Sequence, residues 1–195
     1  MKRLLLCLTV VLALGVIPAL ADDCGVAGNL VVNCGFETGD FTGWTPIAAG
    51  DGSLFGVNGA YVHSGIYGSY WGAVYSLDDS IIQTILPTTA GQSYGVEFWL
   101  EHDFTDTDNH FEADWNGNPL VNLGNVAAFG WTDYKFTVVG TGADTLRFAG
   151  YEGPAYFGLD DVSVVATPEP TSLALLAMML AGGLLGTGLK RRRQQ

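Results

Sequence analysis

The segment Tyr94-Gly95-Val96-Glu97-Phe98-Trp99-Leu100 decides the fold class of this chain. Its bulky residues alternate with Gly95 and Glu97, and successive side chains of a β-strand point to opposite faces. A repeat of two residues is therefore typical of a strand that is buried on one side. No sustained repeat of 3.6 residues, the signature of a helix, occurs in the middle of the chain. The segment predicts an all-β domain.

Similar stretches recur along the chain, separated by Gly, Asn, Asp and Thr. They cover residues 29–33, 80–86, 111–115, 119–121, 134–139, 144–149 and 156–165. Asn116-Gly117 separates two of them and predicts a type I′ hairpin turn, because these residue types tolerate positive φ. Seven or eight short strands without a helix predict a two-sheet jelly-roll sandwich. The Gly-rich residues 50–72 are expected to hold loops around one or two strands.

The N-terminus has the three parts of a secretory signal peptide. A basic start at residues 1–3 is followed by an apolar run at 4–17 and by small residues at 19 and 21. Residues 1–21 are therefore predicted to be removed, so that the mature chain begins at Asp22. A retained N-terminal anchor is the alternative.

The C-terminus has a second apolar run with a different arrangement. Pro168-Glu169-Pro170 precedes the apolar residues 173–189, and four cations follow at 190–193. As a helix the run would be about 25 Å long, which is slightly short of a hydrocarbon core of about 30 Å. The cations would keep their end in the cytoplasm. A transmembrane helix is predicted, with a buried C-terminal core helix as the alternative.

The tail resembles the PEP-CTERM sorting signal of Gram-negative bacteria, which combines a Pro-Glu-Pro motif, a transmembrane segment and an Arg-rich end. The resemblance implies an exported protein with an inner-membrane-anchored precursor. It also implies processing by an exosortase-type enzyme near the motif and delivery to the cell surface or extracellular matrix, often beside exopolysaccharide. The predicted division is signal peptide 1–21, sandwich domain 22–167 and sorting signal 168–195.

The exported part is strongly acidic. All 20 acidic residues lie within 22–169, where Lys135 and Arg147 are the only cations, so this part carries a net charge of −18. Such a surface repels nucleic acid and anionic lipid. Cations or neutral polymers remain as partners, unless the acidity serves only to keep the protein soluble.

The cysteine count predicts one disulfide. Cys7 leaves with the signal peptide, and Cys24 and Cys34 remain. An even count in an oxidising compartment favours a Cys24–Cys34 bond. Two unpaired buried thiols are the alternative.

The domain resembles the family 4 and 9 carbohydrate-binding modules and related galactose-binding-like jelly rolls. The pattern Asn-Leu-Val-Val-Asn-x-Gly-Phe-Glu-x-Gly-x-Phe-x-Gly-Trp at residues 29–44 carries the resemblance at the start, and residues 157–164 carry it at the final strand. The resemblance implies sugar binding and a structural Ca²⁺ site to which Glu37 and the pair Asp160-Asp161 contribute. Ca²⁺ prefers several hard oxygen ligands, which carboxylates supply. The alternative is that these carboxylates cap turns or face solvent.

Sugar recognition requires exposed aromatic faces that stack on pyranose rings. Tyr67, Tyr70 and Trp71, in the Gly-rich segment, are predicted to be exposed and to bind the ligand, whereas Trp44 and Trp99 are assigned to the core.

Motifs of catalysis are missing from the sequence. There is no Gly-x-Ser-x-Gly and no His-Glu-x-x-His, and His102 and His110 share an acidic segment, 101–110, that is predicted to be a solvated loop. We therefore expect a non-catalytic envelope or matrix protein that binds or associates with polysaccharide. A structural surface protein without a specific ligand is the alternative, and a glycan-active hydrolase is the third candidate.

Overall fold

The computed structural model describes residues 24–74, 76–85, 88–105 and 108–167. The predicted signal peptide, the Pro168-Glu169-Pro170 motif and the apolar run 173–189 lie outside these residues. None of the described segments forms a helix that is long and apolar enough to cross a membrane.

The described part of the chain is built from β-strands, as the alternating pattern predicts. Ten strands are present: β1 (Thr45–Ile47), β2 (Phe55–Asn58), β3 (Gly68–Trp71), β4 (Asp79–Ile85), β5 (Ser93–His102), β6 (Asn109–Trp115), β7 (Asn118–Gly124), β8 (Phe129–Val139), β9 (Asp144–Glu152) and β10 (Phe157–Ala166). These residues contain no helical segment. The prediction of an all-β fold is confirmed, although seven or eight strands were too few.

The strands form two five-stranded sheets that pack face to face. Sheet A has the order β1-β4-β9-β6-β7, and sheet B has the order β2-β3-β10-β5-β8. All neighbouring pairs are antiparallel. Neighbours in a sheet come from distant parts of the sequence, as in a jelly-roll sandwich.

The core lies between the two sheets and is rich in aromatic rings. Every second residue of β5, from Tyr94 to His102, is buried. Phe98 of β5 packs edge-on against Phe148 of β9, with 5.0 Å between the ring centroids. Burial of each such side chain contributes about 1.5–3 kcal/mol, so these cross-sheet contacts hold the layers together.

Residues 29–33 were predicted to be a strand, and this prediction is wrong. The Asn29 side chain donates to the Val162 carbonyl at 3.1 Å and accepts from the Val164 N–H at 2.9 Å. Beside one backbone bond, from Leu30 N to Val164 O at 2.9 Å, this side chain supplies the contacts to β10 that a paired strand would make with its backbone. Asn33 has a φ of 52°, which turns the chain out of the extended conformation.

Two local predictions are confirmed. Asn116 and Gly117, between β6 and β7, have φ values of 53° and 72°, as a type I′ turn requires. Cys24 and Cys34 are joined by a disulfide.

The histidines of residues 101–110 do not lie in a solvated loop, so that prediction is wrong for them. His102 ends β5 with 1% exposure, and its Nε2 lies 2.7 Å from Glu152 Oε2 on β9. This bond joins sheet B to sheet A inside the core. His110 belongs to β6, and its Nδ1 lies 2.8 Å from Asp78 Oδ1. The strands extend into the acidic segment because both histidines bind carboxylates that are distant in sequence. Glu152 is 50 residues from His102, and Asp78 is 32 residues from His110.

Asp144 should give the fold an acid-sensitive element. It is fully buried at the start of β9, and it accepts hydrogen bonds from Thr141 N, Thr141 Oγ1 and Asn116 Nδ2 at 2.8, 2.6 and 2.6 Å. Burial alone would raise the pKa of Asp144, but the hydrogen bonds outweigh it and lower the pKa to about 2. The stabilisation is present above the unfolded pKa of about 3.9 and is lost as pH falls toward 2.

We expect this carboxylate to account for about 2 kcal/mol of the stability lost between about pH 5 and pH 2. Urea unfolding at a series of pH values measures the loss. Asp144→Asn should flatten the acid limb of the curve, whereas Asp51→Asn, at an exposed loop position, should leave it unchanged. If the stability of wild type and of Asp144→Asn fell equally at acid pH, the assignment of this loss to the Asp144 carboxylate would be contradicted.

Candidate functional site

The outer face of sheet B carries a row of residues that crosses four strands. Gly56 of β2 lies opposite Tyr70 of β3, Tyr70 lies opposite Gly158 of β10, and Gly158 lies opposite Glu101 of β5. Directly opposed residues of antiparallel strands share a face. Trp131 of β8 extends over Gly158 from the other side. The row therefore places two aromatic rings and a carboxylate above a floor of two glycines.

The two glycines allow the larger side chains to lie against the sheet. A Cβ atom at Gly158 would lie 3.1 Å from Glu101 Oε1 and 3.2 Å from Trp131 Cη2. A Cβ atom at Gly56 would lie 2.9 Å from Tyr70 Oη. Any side chain at these positions would displace the carboxylate or the rings.

Trp99 and His63 form the next layer of this face. Their rings stack with centroids 3.9 Å apart and planes 13° apart, and Trp131 meets His63 edge-on at 5.4 Å. Trp99 is half-buried and points outward, so its assignment to the core is wrong. The reason is its position on β5, where Phe98 and Leu100 occupy the inward positions. Trp44 is 5% exposed, as predicted.

Three tyrosines complete the aromatic surface. The Tyr61 ring lies 5.8 Å from Tyr70 and 5.3 Å from Tyr156. Asp103 holds this group, because Oδ2 accepts from Tyr61 Oη at 3.0 Å and Oδ1 accepts from Tyr156 N at 3.0 Å. Burial, followed by the bond to Asp103, raises the pKa of Tyr61. We call this surface the aromatic face: Tyr61, Tyr70, Trp99, Trp131 and Tyr156.

The predicted ligand-binding residues have different locations. Tyr70 is half-buried on the aromatic face. Tyr67 is exposed, and its ring lies against Gly39. The predicted exposure of Trp71 is wrong, because it is 0% exposed and packs edge-on against Phe111 at 5.7 Å. Consecutive strand residues point to opposite faces, so Tyr70 and Trp71 cannot both reach a ligand.

The predicted metal ligands all bind the loop at residues 63–67, at different positions along it. Asp160 Oδ2 accepts hydrogen bonds from two backbone N–H groups of this loop, at 2.8 and 3.1 Å. Glu37 Oε1 accepts hydrogen bonds from two other N–H groups of the loop, at 2.9 and 3.1 Å. Asp161 binds His63 Nδ1 at 2.6 Å and Ser64 Oγ at 2.7 Å. Asp160 and Asp161 thus fasten the loop to β10 of sheet B beside Trp99, and Glu37 fastens it to the segment that precedes β1.

Two of these carboxylates have the chemistry of a hard-cation site. Asp160 is fully buried, and burial, followed by the charge of Asp161, raises its pKa to about 7. A Cβ atom at Gly35 would lie 3.6 Å from both Asp160 Oδ1 and Glu37 Cγ, so the two side chains approach each other there. Asp161 is engaged by His63 and Ser64. No three His, Cys, Asp or Glu side chains of the described segments converge as metal ligands. The two carboxylates that remain are oxygen donors of the kind that Ca²⁺ prefers, and such an ion would need carbonyl or water oxygens as its other ligands.

Comparison with known proteins yields matches by structure. No protein-family model matches the chain, and the curated proteins give no match. A family 61 carbohydrate-binding module solved with β-1,4-galactotriose has a TM-score of 0.57 and 20% identity, covering 71% of this chain and 99% of that one. The K1 cleaved adhesin domain of Lys-gingipain from Porphyromonas gingivalis has a TM-score of 0.54 and 18% identity, covering 69% and 96%. The CBM22-1 xylan-binding domain from Paenibacillus barcinonensis has a TM-score of 0.50 and 13% identity, covering 74% and 98%.

These structural relatives confirm the predicted jelly-roll sandwich. Several are carbohydrate-binding modules, and the shared architecture extends over more than two thirds of this chain. Identities of 20% or less show the fold and not the ligand.

Proposed function

We propose that this protein binds polysaccharide on its aromatic face without catalysing a reaction. The observation that carries the proposal is the row formed by Tyr70, Glu101 and Trp131 above Gly56 and Gly158. Aromatic rings stack on the apolar faces of sugars, and a nearby carboxylate accepts hydrogen bonds from their hydroxyl groups. The carbohydrate-binding modules among the structural relatives support this use of the fold.

The dimensions of the row favour a polymer as ligand. The Tyr70 ring reaches Gly56 of β2, and the Trp131 ring reaches Gly158 of β10, with β3 between these two strands. Two strand spacings correspond to about 10 Å. A single sugar would contact one end of such a row, whereas an oligosaccharide would contact both rings. The ligand class is therefore a glycan chain.

A binding role fits the carboxylates better than hydrolysis does. Both oxygens of Asp103 are held by Tyr61 and Tyr156. Asp160 and Asp161 are held by the loop 63–67. A glycosidase needs two free carboxyl groups about 5–9 Å apart on either side of the scissile bond. Asp103, Asp160 and Asp161 act instead as supports for the aromatic face, which leaves Glu101 as a single carboxylate without a second free one.

We also propose that the protein acts outside the cytoplasm. The support is the sequence of residues 1–21 and 168–195, which has the parts of an export signal and of an exosortase-processed tail. The disulfide between Cys24 and Cys34 is typical of an oxidising compartment. Exopolysaccharide of the envelope or matrix is then the polysaccharide that the protein would bind.

We further propose that Ca²⁺ stabilises the aromatic face from the side. Glu37 and Asp160 would bind the ion together with backbone oxygens. Its charge would offset the repulsion between the buried Asp160 and the neighbouring Asp161. The same carboxylates hold the loop that carries His63, which stacks on Trp99. Ca²⁺ would therefore stabilise the aromatic face without contacting the sugar.

Replacement of Trp131 by alanine tests the binding proposal. A glycan array identifies a ligand of the purified full chain, and isothermal titration calorimetry measures its affinity. We expect Trp131→Ala to raise Kd at least about tenfold, because an aromatic anchor in the middle of a contact contributes about 1.4 kcal/mol or more.

Tyr151→Ala is the matched control. Tyr151 is a half-buried aromatic on β9 of sheet A, and it packs on His110 away from the aromatic face. This variant should bind as wild type does. Absence of any glycan ligand would overturn the proposal in favour of a purely structural role. Unchanged binding by Trp131→Ala would overturn the assignment of the face.

A further inference from the structure

Glu101 is the carboxylate of the aromatic face that lacks a partner within the described residues. Its side chain is half-buried between Gly158 and Trp131. It takes part in no hydrogen bond and no salt bridge in this part of the structure. Burial, followed by the charge of Asp103, raises the pKa of Glu101, and His63 opposes the shift. A donor or a positive charge placed beside this carboxylate would therefore stabilise it.

The other carboxylates around the face already have partners. Asp103 accepts from Tyr61 and Tyr156, and Asp160 and Asp161 accept from the loop 63–67. Glu97 and Asp133 bind Lys135 at 3.0 and 2.9 Å. A sugar that bound these carboxylates would compete with contacts of the fold. Glu101 is available, and it lies beside an aromatic ring that a sugar could cover.

The charge of the face favours one class of sugar polymer. On it or beside it lie Glu97, Glu101, Asp103, Asp133, Asp160 and Asp161, with Lys135 and His63 as the basic groups. This excess of negative charge repels polymers of uronic acids or sulfated sugars. It attracts polymers with positive groups. Aromatic rings add a cation–π attraction for an ammonium ion held near their faces.

We propose that the aromatic face selects polysaccharides with free amino groups, with the ammonium of an amino sugar bound by Glu101 while its ring stacks on Trp131. This inference rests on the proposed binding of polysaccharide by the same face. It names the ligand class as partly or fully de-N-acetylated amino-sugar chains. An N-acetyl group would remove the charge and place a bulky amide against the carboxylate.

Three oligosaccharides of equal length test the selection: β-1,4-linked glucosamine, its fully N-acetylated counterpart and galacturonate. Calorimetry on the purified full chain is done in mildly acidic buffer, in which the free amine is protonated. We expect the glucosamine oligomer to bind about fivefold more tightly than the N-acetylated one, since one ammonium–carboxylate pair at a half-buried site contributes about 1 kcal/mol. Galacturonate should bind least. The preference should weaken with added salt.

Two variants that each remove one negative charge separate the role of Glu101 from the net charge of the protein. Glu101→Gln keeps the shape of the side chain, so it should retain the affinity for the N-acetylated oligomer and lose the preference for glucosamine. Asp51→Asn lies at an exposed loop position and should keep the preference. Thermal melts show whether both variants fold as wild type does.

The outcomes distinguish this inference from the proposed function. If the N-acetylated oligomer binds as well as glucosamine does, polysaccharide binding stands and the selection for amino groups is overturned. The same holds if Glu101→Gln keeps the preference, or if Asp51→Asn loses it equally. If no oligosaccharide or array glycan binds, the proposed function and this inference both fall.

Discussion

Replacement of Trp71 by alanine is expected to lower the free energy of unfolding by about 3–5 kcal/mol. Trp71 is 0% exposed and packs edge-on against Phe111 of β6, so its ring spans the space between the two sheets. Removal of the ring deletes buried apolar surface and leaves a cavity that the surrounding rings fill only in part. For a domain with marginal stability, a loss of this size is a large share of the total.

The neighbouring residue provides the matched control. Tyr70 points to the opposite face, where it contacts Tyr61 and Tyr156. Tyr70→Ala should cost about 1 kcal/mol of stability and weaken glycan binding. Trp71→Ala should cost far more stability, and its folded fraction should bind the glycan as wild type does. Urea unfolding and calorimetry measure both properties. Equal stability of the two variants would contradict the opposite orientations of these rings.

Addition of Ca²⁺ is expected to raise the melting temperature by about 5–10 °C at a concentration of about 100 times Kd, which corresponds to about 2.7 kcal/mol. The ion would bind the ionised carboxylates of the folded chain and not those of the unfolded chain. A chelator should restore the lower value. Differential scanning calorimetry measures both shifts.

The pH dependence of the metal-free protein gives a second test of this site. The pKa of Asp160 is raised from 3.8 to about 7, so the folded chain binds a proton that the unfolded chain has lost in this range. The contribution of Asp160 to stability therefore decreases as pH rises from about 4 to 7. Ca²⁺ should have the opposite dependence, because it competes with that proton and stabilises most at the upper end.

Two neighbouring substitutions distinguish a Ca²⁺ ligand from a carboxylate that does not bind the ion. Asp160→Asn should abolish the response to Ca²⁺. Asp161→Asn removes the same charge at the next position. Asp161 contacts His63 and Ser64, whereas Asp160 and Glu37 meet beside Gly35, so the response should persist. Loss of the response in both variants would contradict the assignment of Glu37 and Asp160 as the carboxylate ligands. An unchanged melting temperature of wild type with chelator and with Ca²⁺ would overturn the Ca²⁺ proposal.

The fold class could be predicted because its signals are local. The alternation around Phe98 and the Asn116-Gly117 turn depend on the strand geometry of a few consecutive residues, and both appear in the structure. The segment 29–33 has an equally strand-like composition. Its conformation depends instead on Val162 and Val164, which are more than 130 residues away, and on the φ of Asn33. No local pattern carries that information.

The candidate site was harder to predict because exposure depends on which face a residue occupies. In β5, the inward positions of Phe98 and Leu100 already imply that Trp99 and Glu101 point outward, and only the need of a sandwich core for aromatic side chains favoured a buried Trp99. In the short β3 strand, the glycine-rich surroundings give no such reference. Tyr70 and Trp71 could therefore not be distinguished before their pairing with β10 was known.

The pairing of β10 with β5 also determines how far a bound polymer is held from the rest of the chain. Gly158 and Glu101 lie at one end of this strand pair, and Thr167 bonds to Ser93 at the other end, with an N···O distance of 2.9 Å. Nine residues of extended strand span roughly 30 Å. Whatever follows Thr167 joins the domain at the end remote from Trp131. The sandwich is thus a rigid spacer. A polymer bound at the Gly158 end of sheet B keeps that distance from any surface to which the tail is fixed.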